Sequence, residues 1–124
     1  MSSKAADITL YHNPRCSKSR AALALLQEHG IEPHIIEYLK TPPSAAQLAE
    51  LVAKLQMAPE ALVRKGEDVF KAGYQDRKLD SQQWLAALAR HPILIERPIA
   101  VRGSRAVIGR PPERVLELLD TRNS

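Results

Sequence analysis

Tyr11-His12-Asn13-Pro14-Arg15-Cys16-Ser17-Lys18-Ser19-Arg20 joins two kinds of apolar pattern. Before it, Ile8-Thr9-Leu10-Tyr11 has the run of a strand, and from Ala21 onward the apolar residues fall at helical spacing. The stretch therefore reads as a strand-to-helix turn, and it carries the one cysteine of the chain. A thiol at or beside a helix N-terminus meets unpaired N–H groups and the positive end of the helix dipole, both of which favour an anion. The cationic side chains of Arg15, Lys18 and Arg20, and His12 for part of the pH range, favour thiolate in the same direction. A buried, inert cysteine would have apolar neighbours. Cys16 instead has Pro14, Arg15, Ser17 and Lys18, and is the candidate nucleophile.

Spacing narrows the chemistry. A cysteine-dependent phosphatase loop requires Cys-x5-Arg, whereas Arg20 follows Cys16 by four positions. A dithiol oxidoreductase requires Cys-x-x-Cys, and Ser19 stands at the second position, so any disulfide must form with an outside thiol. A chain of 124 residues with 44% hydrophobic and 26% charged residues fits one soluble domain, expected over 8–120 between tails at 1–7 and 121–124. The longest wholly apolar run, Ala21 to Leu26, is far short of a membrane span, and residues 1–7 lack the apolar core of a signal peptide. With no internal disulfide available, a reducing compartment, the cytoplasm, is expected. The net charge of +4 points to anionic partners. Aromatics make up only 4% and the basic residues are spread along the chain, which suits a small anion better than nucleic acid; no membrane partner is expected.

The rest of the chain follows in order. The first helix should end near His29-Gly30, where glycine accepts the left-handed conformation, and a second, parallel strand follows at His34–Tyr38. Residues 41–92 read as a helical insertion. Ser44 and Gln47 form a capping box ahead of Leu48, Leu51, Val52 and Leu55, a short helix starts at Pro59, and 66–78 reads as a loop. Asp80 and Gln83 then cap a helix burying Trp84, Leu85 and Leu88. Ile99-Ala100-Val101 and Ala106-Val107-Ile108 flank a glycine-containing turn, and Pro111-Pro112 opens a last helix carrying Val115, Leu118 and Leu119. The expected class is α/β: a mixed four-stranded sheet in the order βαβ, helical insertion, ββα, as in the thioredoxin-like fold. In that architecture the proline before the third strand, here Pro98, is commonly cis and lies beside the catalytic cysteine.

The motifs add a resemblance. Tyr11-His12-Asn13-Pro14 with Cys16 and Arg20, Leu39 with Pro42-Pro43-Ser44, Leu62-Val63-Arg64-Lys65, His91 to Ile99, and Gly109-Arg110-Pro111 resemble the ArsC-type, glutaredoxin-dependent arsenate reductases over almost the whole chain. The resemblance implies that Cys16 attacks arsenate or a related oxyanion and that His12 helps lower the thiol pKa. It implies that Arg64, Arg97 and Arg110 surround the oxyanion, with Asn13, Ser19, Arg20 and Pro98 in support. It further implies glutathione as external reductant, glutaredoxin as the partner that regenerates the thiol, and no bound cofactor or metal. A guanidinium suits an oxyanion because its fork pairs two oxygens at once, which lysine cannot imitate. Two other readings share the fold: an Spx-like regulatory or binding protein, and a glutathione-linked thiol oxidoreductase with another substrate. His29, His34 and His91 are expected to be structural, and Trp84 to belong to the core.

Overall fold

The structure, a computed structural model, describes residues 8–119. It divides into two compact units: Ile8–Tyr38 with Arg97–Leu119, and Leu39–Glu96. The first is built on a sheet. Strand β1 (Ile8–His12) pairs in parallel with β2 (His34–Glu37) and antiparallel with β3 (Ile99–Arg102), which pairs antiparallel with β4 (Arg105–Ile108). The spatial order is β2-β1-β3-β4, a mixed four-stranded sheet as expected. Across its middle, Leu10 stands opposite Ile35 on one side and Ala100 on the other, and Ala100 faces Val107.

Alternation along β1 decides what helix α1 (Ser17–Glu28) can reach. Ile8, Leu10 and His12 are all buried, whereas Thr9 and Tyr11 are only partly so. Helix α1 contributes Ser19, Ala22 and Leu26, spaced for one face, and Ala22 and Leu26 join Ile8, Leu10, Ala100, Val107, Val115 and Leu118 in one core cluster. His12 ends the inward row of the strand and Ser19 begins the inward row of the helix. The first turn of α1 lies over that end of the strand, with the cysteine between. The helix closes as its glycine suggested: Gly30 takes φ +78, Gly30 N–H bonds Gln27 O, and Ile31 N–H bonds Leu26 O, a Schellman closure in which two buried apolar residues meet. A 3-10 helix, Pro112–Leu119, packs on α1 with Val115 and Leu118 fully buried.

The second unit is helical. Helix α2 (Ala45–Leu55) begins at a complete capping box, Ser44 with Gln47, and buries Leu48, Leu51 and Val52. A 3-10 turn, Pro59–Leu62, leads to the antiparallel bridge Val63–Ile95, in which Arg64 N–H bonds Leu94 O and Glu96 N–H bonds Leu62 O. Helix α3 (Asp68–Gly73) occupies the stretch expected as a loop. It is six residues long, no side chain caps it, and it is anchored by buried Phe70, whose ring stacks on Trp84. Such a helix owes its stability to packing rather than to local signals. Helix α4 (Ser81–Arg90) starts at the Asp80–Gln83 capping box and buries Trp84, Leu85 and Leu88; a short 3-10 turn, Pro92–Leu94, follows. Among the described residues no helix is long and apolar enough to cross a membrane.

Candidate active site

The cysteine is held by a loop that bonds itself at every step. Cys16 N–H donates to Asn13 O at 2.9 Å, which closes a turn with Pro14 at the position whose fixed φ suits it. The side chain of Asn13 accepts from Arg15 N–H at 3.0 Å, and Arg20 reaches back with Nη1 to Pro14 O at 3.0 Å. Arg20 therefore braces the loop, while the Arg15 and Lys18 side chains are exposed. Helix α1 starts at Ser17, earlier than the apolar spacing suggested, so Cys16 is itself the N-cap residue, with extended backbone (φ −93, ψ 124).

That position governs the thiol. Partial burial by itself pushes Cys16 up, but the backbone N–H of Ser19, the Arg97 side chain and the backbone N–H of Lys18 outweigh it, and the thiol lies below its ordinary value. No side-chain hydrogen bond of strict geometry closes the cap. The two amides act as nearby donors toward a large, polarisable sulfur, which is where the orphan donors of a helix N-terminus should act. The thiolate is thus supported by first-turn amides and one guanidinium ahead of the Arg15, Lys18 and Arg20 side chains singled out from charge.

His12 has a different character from a cationic helper. It is 6% exposed, and burial is the main cause that lowers its pKa, with Arg20 acting in the same direction and Glu37 opposing. Its Nδ1 lies 2.7 Å from Ser19 Oγ, and that oxygen also accepts from Asn13 N–H at 3.0 Å. Ser19 is fully buried, so its hydroxyl proton requires an acceptor, and Nδ1 is the one the structure supplies. Neutral His12 then carries its proton on Nε2. Protonating Nδ1 would leave the serine proton without an acceptor, which disfavours the cation for the same reason that burial does.

Two arginines arrive at the same end of the sheet, since Ile99 stands opposite Tyr11 and Ile108 opposite Ile99. Arg97 precedes Pro98 through a cis peptide bond, and Arg110 precedes Pro111 through another. Arg110 Nε donates to Arg97 O at 2.8 Å, and Gly109 N–H donates to Pro98 O at 2.8 Å. The segments before β3 and after β4 are thereby tied together, with Arg97 against the thiol and Arg110 against Arg97. A Cβ on Gly109 would come 2.9 Å from Pro98 Cγ and 3.1 Å from Val115 Cγ1, so this close approach needs the missing side chain.

Arg64 lies in the helical unit. Its Nε pairs with Glu67 at 3.2 Å and its Nη1 with Glu96 at 2.9 Å, which leaves Nη2 for a further acceptor. Glu67 and Glu96 are residues that motif spacing did not single out; Glu67 had a signal in its charge three positions after Arg64, whereas Glu96, far away in sequence, had none. Among the described residues no group of three or more His, Cys, Asp or Glu side chains is placed to hold a metal ion. His29 caps α1 with Nδ1 2.9 Å from Leu25 O, His34 opens β2, and His91 caps α4.

Comparison with known proteins covers the stretch of chain that holds these residues. The model of the ArsC family matches residues 11–118, from the strand before the cysteine to the last helix. An arsenate reductase of Neisseria meningitidis serogroup A is 43% identical over 91% of this chain and 98% of its own length. An uncharacterized Escherichia coli K12 protein, YfgD, is 46% identical over 90% of this chain and 96% of its own. The solved structure of an arsenate reductase from Vibrio cholerae superposes with a TM-score of 0.86 at 46% identity, covering 91% of this chain and 98% of that one. The family match spans the cysteine loop and most of the sheet, and the chain belongs to the ArsC family.

Proposed function

We propose that the protein is an arsenate reductase that works through Cys16 and draws its electrons from glutathione. The observation that carries this is the lowered thiol of Cys16 with the Arg97 guanidinium against it and Arg110 braced on Arg97. A nucleophile with one guanidinium against it and a second arginine tied to the first suits an oxyanion. Support for arsenate as the anion comes from relatives named arsenate reductase at about this chain's full length.

Cys16 thiolate attacks arsenic, an S–As bond forms, and a hydroxyl leaves as water after taking up a proton. Arg97 and Arg110 stabilise charge on the arsenate oxygens as it moves. Glutathione thiolate then attacks the Cys16 sulfur. A disulfide forms, the electron pair of the S–As bond stays on arsenic, and arsenic passes from the +5 to the +3 state. The Cys16–glutathione disulfide is cleared by the thiolate of glutaredoxin, which returns Cys16 to its reduced form. Ser19 at the second position of Cys-x-x-Ser cannot resolve the disulfide internally, which is why an outside thiol is required. Neutral His12, fixed by Ser19, orients the loop rather than lending positive charge.

The test is NADPH oxidation in the presence of arsenate, glutathione, glutathione reductase and glutaredoxin. Arsenate-dependent turnover is expected, absent in Cys16→Ser and lowered by about 10²–10³ in Arg97→Ala. The same assay on Arg64→Ala tests the third arginine that the family resemblance assigns to the oxyanion. No turnover, with Cys16 still alkylated rapidly at neutral pH, would sink the arsenate assignment and leave a thiolate oxidoreductase acting on another oxyanion or on a disulfide.

A further inference from the structure

The helical unit carries a second concave surface that the chemistry at Cys16 does not use. It is a cavity of about 270 Å³ between the segment after α3 and the outer face of α4, lined by Tyr74, Arg77, Gln83, Ala86, Ala87 and Arg90 among others. Its polar chemistry is one-sided. Arg77 and Arg90 are both exposed and neither is paired with a carboxylate among the described residues, and no acidic residue lines the cavity. Gln83 spends its carbonyl oxygen on Asp80 N–H at 2.9 Å, so what it can offer a ligand is its N–H2 group. Ala86 and Ala87 leave the floor open by having almost no side chain.

The wall is also held in place. Arg77 lies over the Tyr74 ring, 5.8 Å from its centroid, and Tyr74 packs on Trp84 at 5.9 Å and edge-on to His91 at 6.0 Å. Stacking confines the guanidinium before any ligand arrives, which lowers the ordering cost of binding. Behind Tyr74, Trp84 is 3% exposed and its indole N–H has no acceptor among the described residues. Two guanidiniums with no carboxylate partner among the described residues thus share one cavity.

We propose that this cavity is a second anion site, which takes a small organic or inorganic polyanion, of the diphosphate or polycarboxylate class, by pairing it with Arg77 and Arg90. Two forks call for at least two anionic groups on one ligand, and the volume exceeds what a single tetrahedral oxyanion fills. Gln83 adds a neutral donor between the two charges. The site is distinct from the reaction at Cys16: every residue named here lies in Leu39–Glu96, and none belongs to β1, α1, β3 or β4.

Trp84 is the only tryptophan in the chain, so its emission reports on this region alone. The experiment titrates the full chain with pyrophosphate and, separately, citrate at constant ionic strength, following emission and the heat of binding in parallel. A saturable change with a midpoint of about 1 mM or below is expected for at least one probe. The midpoint should rise about tenfold or more in both Arg77→Ala and Arg90→Ala, whose exposed positions leave the helices intact. If emission is silent, a heat signal that the Arg77→Ala/Arg90→Ala double variant loses still supports the site. The proposal is overturned if neither signal saturates below about 10 mM, or if the double variant responds as the wild type does.

Discussion

At the scale of single residues, the thiol is controlled by what stands within reach of its sulfur rather than by how much charge surrounds it. Charge counting pointed to Arg15, Lys18, Arg20 and His12, but the structure uses Arg20 to brace Pro14 O and keeps His12 neutral beside Ser19. The groups acting on Cys16 are the Ser19 and Lys18 amides and Arg97. Amides of a helix N-terminus come with the fold, whereas Arg97 is a side chain that can be removed alone. Arg97→Ala should therefore raise the Cys16 titration midpoint, read as the pH dependence of iodoacetamide alkylation, and bring it toward the ~8.5 of an ordinary thiol. Arg15→Ala should move it much less. Equal shifts in the two variants would show that general positive charge, and not the Arg97 contact, sets the thiolate.

At the scale of elements, the segment Gly109-Arg110 is the tie that keeps the two arginines in place. Gly109 N–H holds Pro98 O, Arg110 Nε holds Arg97 O, and no space exists for a side chain at 109. Gly109→Ala must push Pro98 or Val115 aside, at a cost of about 1–3 kcal/mol typical of overpacking, measured by urea unfolding. It should also lower turnover beyond what stability explains, because Arg97 and Arg110 shift with Pro98; unchanged stability and turnover together would refute the tie. Nothing in the spacing of Gly109 revealed this, since a close approach between distant segments leaves no local mark. Other elements were legible because their signals are local. The Ser44–Gln47 and Asp80–Gln83 boxes announced α2 and α4, and Gly30 announced the end of α1. Helix α3 was not legible, because its support is the tertiary stack of Phe70 on Trp84. The helix start beside Cys16 was legible from the strand-to-helix junction but not from the apolar period, because Ser17, Lys18 and Arg20 are exposed and buried Ser19 is polar.

At the scale of the whole molecule, the sheet topology and the place of the cysteine followed from the order of elements, while the approach of Arg97 to Cys16 and the tie of Arg110 to Arg97 required the family pattern as well as spacing. What sequence could not convey was the protonation balance of the folded chain. Burial holds His12 below its ordinary value, and the Ser19 amide, Arg97 and the Lys18 amide, outweighing desolvation, hold Cys16 below its own. In both cases the unfolded chain binds a proton that the folded chain releases, so stability rises with pH wherever either difference exists. The Cys16 contribution is complete above the unfolded thiol value of ~8.5 and is lost as pH falls through the lower folded value. The His12 contribution is complete above ~6.5 and is lost as pH falls through its own folded value. Unfolding free energy measured in urea should accordingly climb with pH through the range below ~6.5 and on toward ~8.5, in two overlapping steps. Cys16→Ser should flatten the upper step and leave the lower one, and His12→Gln should do the reverse. A stability that is level or falls across this range, or a slope that both variants leave untouched, would place the pH sensitivity elsewhere and remove the assignment of a neutral His12 beside an easily ionised thiol.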